Sequence, residues 1–430
     1  MTRKRLAWMA AVIAFAAVIV TFGFVEGNRF SRRQIKIRLG AGPLVGRYEI
    51  RFGWRTLPVV LFAALVVWLG PRLARQIRAR LLPVATGAAT AVFTALLAAT
   101  DRSKQLLEPV VHPTEYWQIL KTAPPLGTFV RTYLDELKGY SVHLRGHPPG
   151  YPSLLIIGRS MGITSPWVVA AMSWIAAGVA AAMVIVAVGR IAGTPAARSL
   201  APALVVAPYA VWAGTSADAV YMAVGASGVA AMAIATTGSM SERRRWLWAA
   251  LSGVLFGLLL FGTYGAVMMT PLARALVIAQ RRWSLLVPAL VSVAGIVAGF
   301  ALAGFWWLDG AHATRVEYWL GTAQFREPWR FAVFNVAALL IALGPAVVVA
   351  FGFVRRAPWM WLVGGALAGV VASNASQYSK GEVERIWLIF MPWISVVLLS
   401  IVQRRRVLHL VVASQAATAI AIQTVLVSKW

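Results

Sequence analysis

The sequence predicts an all-α polytopic membrane protein, a bundle of about thirteen crossings plus one re-entrant or interfacial helix, and three observations predict it. Sixty per cent of the 430 residues are hydrophobic and only 13% charged, against about 25% charged in an ordinary globular chain. Apolar runs of roughly 17 to 25 residues recur along the whole length, each long enough to cross about 30 Å of hydrocarbon as a helix. Short arginine clusters separate those runs. Mean hydropathy is +0.72, so water is not the main solvent, and open sheets are excluded because their unpaired backbone groups find no partner in lipid.

The opening MTRKR followed by Leu6 to Val25 reads as the first transmembrane helix; it is long for a signal segment and lacks a small-residue cleavage site. With this terminus cytoplasmic, crossings fall near 6–25, 57–71, 82–100, 165–191, 198–213, 217–237, 246–262, 264–279, 284–305, 330–353, 359–375, 386–402 and 407–427. The basic loops at 71–80, 241–246, 280–283, 354–358 and 403–406 then all lie inside, as the positive-inside rule requires. That agreement needs the stretch 150–163, with two prolines and an arginine, to fall short of a full crossing. Residues 1–81 form an N-terminal helix pair with an outer basic hairpin, and 82–430 the core.

One loop breaks the rule. Arg29, Arg32, Arg33, Lys36, Arg38, Arg47, Arg51 and Arg55 fall in the first loop, on the outer side. The stretch QIKIRLGAGPLVGRYEIRFGW alternates polar and apolar residues about a Gly-Pro centre, which predicts a β-hairpin on the outer surface. A solvated basic loop near lipid phosphates is the simpler account; a specific grip on an anionic glycan or lipid is the alternative.

The formal net charge of +27 raises nucleic acid as a partner, but the cations are scattered in short clusters and membrane orientation explains them. No cysteine is present, which excludes a disulfide framework, a thiolate metal site and a cysteine nucleophile.

Polar chemistry gathers in three outer segments: 101–149, whose amphipathic pieces suit short interfacial helices, the turn GTSADAVY (214–221) and NASQYSKGEVERIW (374–387). Ionisable residues at the edge of hydrocarbon are costly, so Asp218 and the cluster Lys380, Glu382, Glu384 and Arg385 are candidates. Ser216 and Asp218 also suit a helix N-cap, and the cluster also suits internal ion pairing. Lys380 and Arg385 alternatively hold a phosphate, with a carboxylate orienting them. Asp101, at the outer exit of a helix, and Glu115 are candidate general bases, each equally readable as a solvated loop carboxylate. His143, Arg145 and His147 recur at every second position, so an extended strand would point all three one way. Two histidines without a third ligand make a weak metal site; no cofactor is required, and a divalent metal stays open. Tyr116, Trp117, Tyr140, Tyr378 and Trp387 suit stacking on sugar faces, or an interfacial aromatic belt.

The combination resembles the GT-C superfamily of polytopic glycosyltransferases, which use polyprenyl-phosphate-linked sugars. The matching features are an acidic residue in the first large outer loop (Asp101 or Glu115), the GHPPG motif at Gly146–Gly150, and later basic residues (Lys380, Arg385), over about residues 82–402. VHLRGHPPG, TSADAVY and SKGEVERIW are similar to actinobacterial members acting on cell-envelope glycans, among them those that transfer methylthioxylose to lipoarabinomannan. Two departures are the helix pair with its basic hairpin before the core and the missing acidic pair near Asp101, which leaves the base open. The resemblance implies a GT-C-like bundle in the plasma membrane with an extracytoplasmic active site. It implies inverting transfer from a polyprenyl-phosphate sugar to a hydroxyl of an envelope glycan or glycolipid. Lys380, Arg385 and Arg145 would stabilise the leaving phosphate, and His143, His147 and Asp218 would line the sugar pocket. A transporter or flippase of a lipid-linked precursor is the rival, although no convincing internal repeat is seen.

Overall fold

In the computed structural model, residues 3–101 and 103–428 are described, residues 103–105 by their backbone only. Met1 and Thr2 of the basic N-terminal segment lie outside the described residues. The chain is nearly all helical, and its only strands among the described residues are four of two residues each. Proline in the first turn, where its missing N–H costs nothing, opens many of the helices, among them those starting at Leu57, Leu82, Pro166 and Pro328.

Seven helices among the described residues are long and apolar enough to cross a membrane, or nine if each of two bent pairs is one span. The seven are Arg3–Arg33, Trp54–Gln76, Pro166–Ala192, Ala217–Thr236, Glu242–Gly262, Trp283–Leu302 and Arg405–Val425. Pro328–Leu343 turns by 103° into Pro345–Phe351, and Val383–Ile389 by 71° into Met391–Ser400. Gly344 makes the sharper bend at φ +81°, where a Cβ would also lie 2.5 Å from Gln415 Oε1. Leu82–Ala98, Tyr264–Ala279 and Met360–Ser376 are shorter apolar helices. The helix Trp283–Leu302 is almost wholly exposed, with apolar side chains such as Val291 and Leu302 on its surface.

The structure corrects several boundaries. The first helix runs on to Arg33, so Arg29, Arg32 and Arg33 ride on its last turns, where cations complement the helix dipole, and not in a loop. The stretch 198–213 is not one continuous helix: Thr194–Val205 stops short, Pro208 follows, and only a turn, Ala210–Ala213, completes it. The stretch from 150 is the helix Gly150–Ser160, about 16 Å long at 1.5 Å per residue, which is half of what a crossing needs. It is wedged against Glu242–Gly262, since a Cβ on Gly150 would sit 2.3 Å from the Phe261 carbonyl. Arg159 donates from its other end to the carbonyls of Leu120 and Ala123 at 3.1 and 2.9 Å.

The basic hairpin is smaller and deeper than the alternation predicts. Gly40–Ala41 pairs with Leu44–Val45, and Arg47–Tyr48 pairs with Leu426–Val427 at the C-terminal end. Ile37, Leu39, Ala41, Leu44 and Val45 are buried, because the glycines let the turn seat on the first helix: Gly42 meets Gly27 with no room for a Cβ on either.

The two ends of the bundle differ in character. At one end Trp8 reaches the Phe351 carbonyl, Arg282 pairs with Glu242, and Arg245 caps the carbonyls around Thr237. At the other end lie the hairpin, Asp101, the segment 103–149, the helix Trp307–Leu320 and the start of Val383–Ile389, joined by Val45 N–H to Glu384 and by Arg145 to Glu317. Close helix contacts connect the ends: a Cβ on Gly178 would lie 2.4 Å from the Gly87 carbonyl oxygen, the small-residue contact expected between helices in lipid. Gly178→Leu is therefore expected to destabilise the protein by about 1–3 kcal/mol through overpacking, measured by thermal unfolding in detergent. Gly295→Ala, where a Cβ meets nothing within 4 Å, should leave the midpoint unchanged or raise it.

Candidate functional site

Three segments far apart in sequence meet at the hairpin end of the bundle. Ser216 caps the helix Ala217–Thr236, accepting the Asp218 N–H at 3.1 Å, and donates its hydroxyl to Asp218 Oδ2 at 2.8 Å. The cap thus belongs to Ser216, and the Asp218 carboxylate is turned to Arg385, whose Nε stands 2.9 Å away. The same guanidinium faces Glu115 Oε1 at 3.9 Å, and Glu115 is held by His143 Nδ1 at 2.7 Å. All four groups are at least nine-tenths buried. One guanidinium between two carboxylates supplies the countercharge that burial demands. Among the described residues no group of three His, Asp or Glu converges to hold a metal ion.

Local hydrogen bonds place Glu115 and His143. The His143 N–H donates to the Thr114 carbonyl at 3.1 Å and Ser141 Oγ to the Glu115 carbonyl at 3.2 Å. Around them packs an aromatic box. Tyr116 meets Tyr151 at 4.9 Å and His147 at 5.6 Å between ring centroids, His147 stacks on Tyr221, and the Tyr221 hydroxyl donates to that of Tyr116 at 3.3 Å. Tyr133 closes the base, its hydroxyl reaching the carbonyls of Leu144 and His147. Burial pushes the Tyr116 phenol well above its ordinary value. Burial also pushes His147 down to about 4, so its ring is neutral. With Nδ1 donating to the His143 carbonyl at 3.0 Å, Nε2 is the acceptor side of that ring.

The expected extended run His143, Arg145, His147 is not formed. Val142–Arg145 is a helical turn, so His143 and His147 point into the box while Arg145 leaves it to pair with Glu317 at 2.9 Å. The later cluster is likewise divided. Arg385 joins the ionic centre, but Lys380 does not: its ammonium donates to the carbonyls of Arg326 and Ala323 at 3.1 and 3.4 Å and lies over the Trp319 ring. Burial, then Arg326, holds its pKa below the usual ammonium value. Glu382 pairs with Arg326 at 3.6 Å. Glu384, fully buried, accepts the Val45 N–H at 2.8 Å and ties the hairpin to the segment carrying Arg385. Of the aromatic candidates beyond Tyr116, Trp387 is buried with its Nε1 on Ser373, Tyr140 packs on Tyr133, Trp117 packs beside Leu106, and Tyr378 is exposed beside Tyr318.

Asp101 lies apart from this centre, on a cleft of about 450 Å³ between the hairpin, the end of Leu82–Ala98, the segment 106–112 and the C-terminal strand. Arg38, Arg47, Arg51, Glu108 and His112 share the lining. Arg51 pairs with the Asp101 carboxylate and also donates to the carbonyls of Gln423 and Leu426. Gly214 and Thr215 line the cleft as well, so the loop that leads into Asp218 is common to cleft and ionic centre. The arrangement therefore joins an accessible carboxylate flanked by cations to a rigid buried support. No family model, curated protein or solved structure matches this chain.

Sequence reasoning missed Tyr221, Tyr151, Arg326 and Glu317. Tyr221 stands three residues after Asp218 on the same helix face, and Tyr151 directly follows the GHPPG motif. Arg326 and Glu317 belong to the stretch between 305 and 330, which the crossing parity places outside and whose charges were the available signal. Arg385→Met is expected to lower stability by about 3–5 kcal/mol, because it strands two buried carboxylates, again read by thermal unfolding. His147 gives a pH signature. The unfolded ring protonates near 6.5 and the folded one near 4, so its contribution is full above 6.5 and is lost as pH falls towards 4. His147→Gln should flatten the midpoint between those pH values; an unchanged slope would contradict the buried neutral ring.

Proposed function

We propose that this membrane-embedded protein is a glycosyltransferase of the GT-C type. It moves a sugar from a polyprenyl-phosphate donor to a hydroxyl of a cell-envelope glycan or glycolipid, with inversion, at the extracytoplasmic face of the plasma membrane. The observation that carries the proposal is the Asp101 cleft, opening at the bundle end opposite the arginine loops and backed by the centre of Glu115, His143, Asp218 and Arg385. In this account the three shorter apolar helices, the interrupted stretch 194–213 and both bent pairs cross with the seven long helices, making thirteen, and the arginine loops are cytoplasmic.

Asp101 is the base. Its carboxylate faces the cleft, whereas Glu115 Oε1 is taken by His143 inside the buried centre. Asp101 accepts the proton of the acceptor hydroxyl as that oxygen bonds to the anomeric carbon. The bond from that carbon to the phosphate oxygen breaks, and the polyprenyl phosphate leaves with the electron pair. Positive charge beside the departing oxygen lowers the barrier. Glu115 and Asp218 position the loops that wall the cleft.

The two bent helix pairs favour a second account, a carrier of the lipid-linked precursor, because discontinuous helices build transporter sites. Incubation of the purified, reconstituted protein with a radiolabelled polyprenyl-phosphate sugar and envelope acceptors separates the two. Label should appear in the acceptor, and Asp101→Asn should reduce the rate by roughly 10²–10⁴-fold, the scale of general-base catalysis. Near-normal transfer by Asp101→Asn would remove the assigned base, and label crossing between leaflets without transfer would establish the carrier.

A further inference from the structure

We infer that Arg38, Arg47 and Arg51 of the N-terminal hairpin form the site that grips the phosphate of a lipid-linked ligand in the Asp101 cleft. The inference rests on the transferase proposal for the identity of the ligand, but not for the existence of the anion site.

Three independent observations lead here. First, the cations placed later in the chain are already committed: Lys380 to the Arg326 and Ala323 carbonyls, and Arg385 to Asp218 and Glu115. Second, Arg38, Arg47 and Arg51 all line one cleft, although the proposed orientation puts them on the side of the membrane where the positive-inside rule disfavours cations. Its volume of about 450 Å³ falls in the range of small-ligand sites, roughly 300–1,000 Å³. Third, the fold presents them in different states of readiness. Arg51 is committed to the Gln423 and Leu426 carbonyls at 3.0 and 2.6 Å and to the Asp101 carboxylate, so it serves as a fixed positive charge in the wall, and the free donors come from Arg38 and Arg47. Arg47 pairs with the exposed Glu49 at 2.8 Å, a partner that a desolvated phosphate displaces at little cost because exposed pairs contribute little. Arg38 is exposed, has no ion-pair partner among the described residues, and sits in the left-handed region at φ +51° between buried Ile37 and Leu39. A non-glycine residue there carries backbone strain, and this one turns a guanidinium to the cleft rim. Planar guanidinium donors match phosphate oxygens.

A phosphate held there lies next to Asp101, so the base and the leaving group of one transfer share a single cleft wall. Glu49 pairs with Arg47 and Asp101 with Arg51, and Glu108 lines the same cleft, so Arg38 is set apart on that wall by having no ion-pair partner among the described residues and not by an excess of positive charge.

The test uses the full-length protein in nanodiscs of neutral lipid, titrated calorimetrically with farnesyl phosphate, farnesol and inorganic phosphate. Farnesyl phosphate should bind saturably, and Arg38→Ala and Arg47→Ala should each weaken it by roughly tenfold or more, as loss of one charge-assisted hydrogen bond implies. Arg51→Lys, which keeps the charge but not the fork that fixes it in the wall, should weaken it too. Arg33→Ala, outside the cleft, removes the same charge and should leave binding unchanged. Competition by inorganic phosphate but not by farnesol would confirm that the anion is read, and tighter binding of farnesyl phosphate than of inorganic phosphate would assign it to a lipid. Wild-type affinity in both Arg38→Ala and Arg47→Ala, an equal loss in Arg33→Ala, or competition by farnesol would overturn the site. Arginine-dependent binding in a protein that transfers no sugar would keep the site and discard the transferase. Transfer with a donor KM untouched in Arg38→Ala and Arg47→Ala would do the reverse.

Discussion

The arrangement depends on one guanidinium. Arg385 sits between Asp218 and Glu115 in a part of the bundle otherwise built from aromatic and aliphatic side chains. Taking three charges out of water costs several kcal/mol per ion, and the attraction between them roughly returns that cost. The centre is therefore less a source of stability than of uniqueness. It fixes the register of a helix start, an irregular outer segment and a broken helix, because any other arrangement strands a charge.

From that anchor the outer architecture follows outward. His143 extends the centre to the turn before the GHPPG motif, and the short helix Gly150–Ser160 wedges that motif against Phe261. Glu384, one residue before Arg385, reaches the other way and holds the hairpin by the Val45 N–H. The hairpin in turn carries Arg47 and Arg51 to the C-terminal strand. The cleft is thus walled by segments from both chain termini and the middle of the sequence, and its accessible groups inherit their positions from buried ones.

Much of this was legible in the sequence. Apolar run length locates the seven helices that are long and apolar enough to cross a membrane, because length and hydropathy are properties of composition, but not helices such as Trp307–Leu320. Asp218, Arg385, Glu115 and His143 stood out because charge beside hydrocarbon is expensive, and the fold brings those four together. Partner choice was not legible. Lys380 and Arg385 look equivalent in KGEVER, yet a short helix starting at Val383 turns one to the centre and the other to carbonyls beyond Trp319. The Arg51–Asp101 pair joins residues from two separate loops, and the bends at Gly344 and Phe390 are set by packing that no local pattern records. The hairpin alternation signalled the short pair Gly40–Ala41 and Leu44–Val45 but neither the helical turn Ile35–Ile37 nor the pairing of Arg47–Tyr48 with Leu426–Val427, and it was silent on depth, which depends on the contact between Gly27 and Gly42.

The account stands or falls on whether the hairpin, the 101–149 segment and the 377–385 segment share the outer face of the membrane. The native chain has no cysteine, so single cysteines at Glu108, Tyr378 and Arg355 can be probed with a membrane-impermeant maleimide in intact cells and after lysis. The account predicts that Glu108→Cys and Tyr378→Cys label in intact cells and Arg355→Cys only after lysis. Labelling of Glu108→Cys and Tyr378→Cys from opposite sides would contradict it.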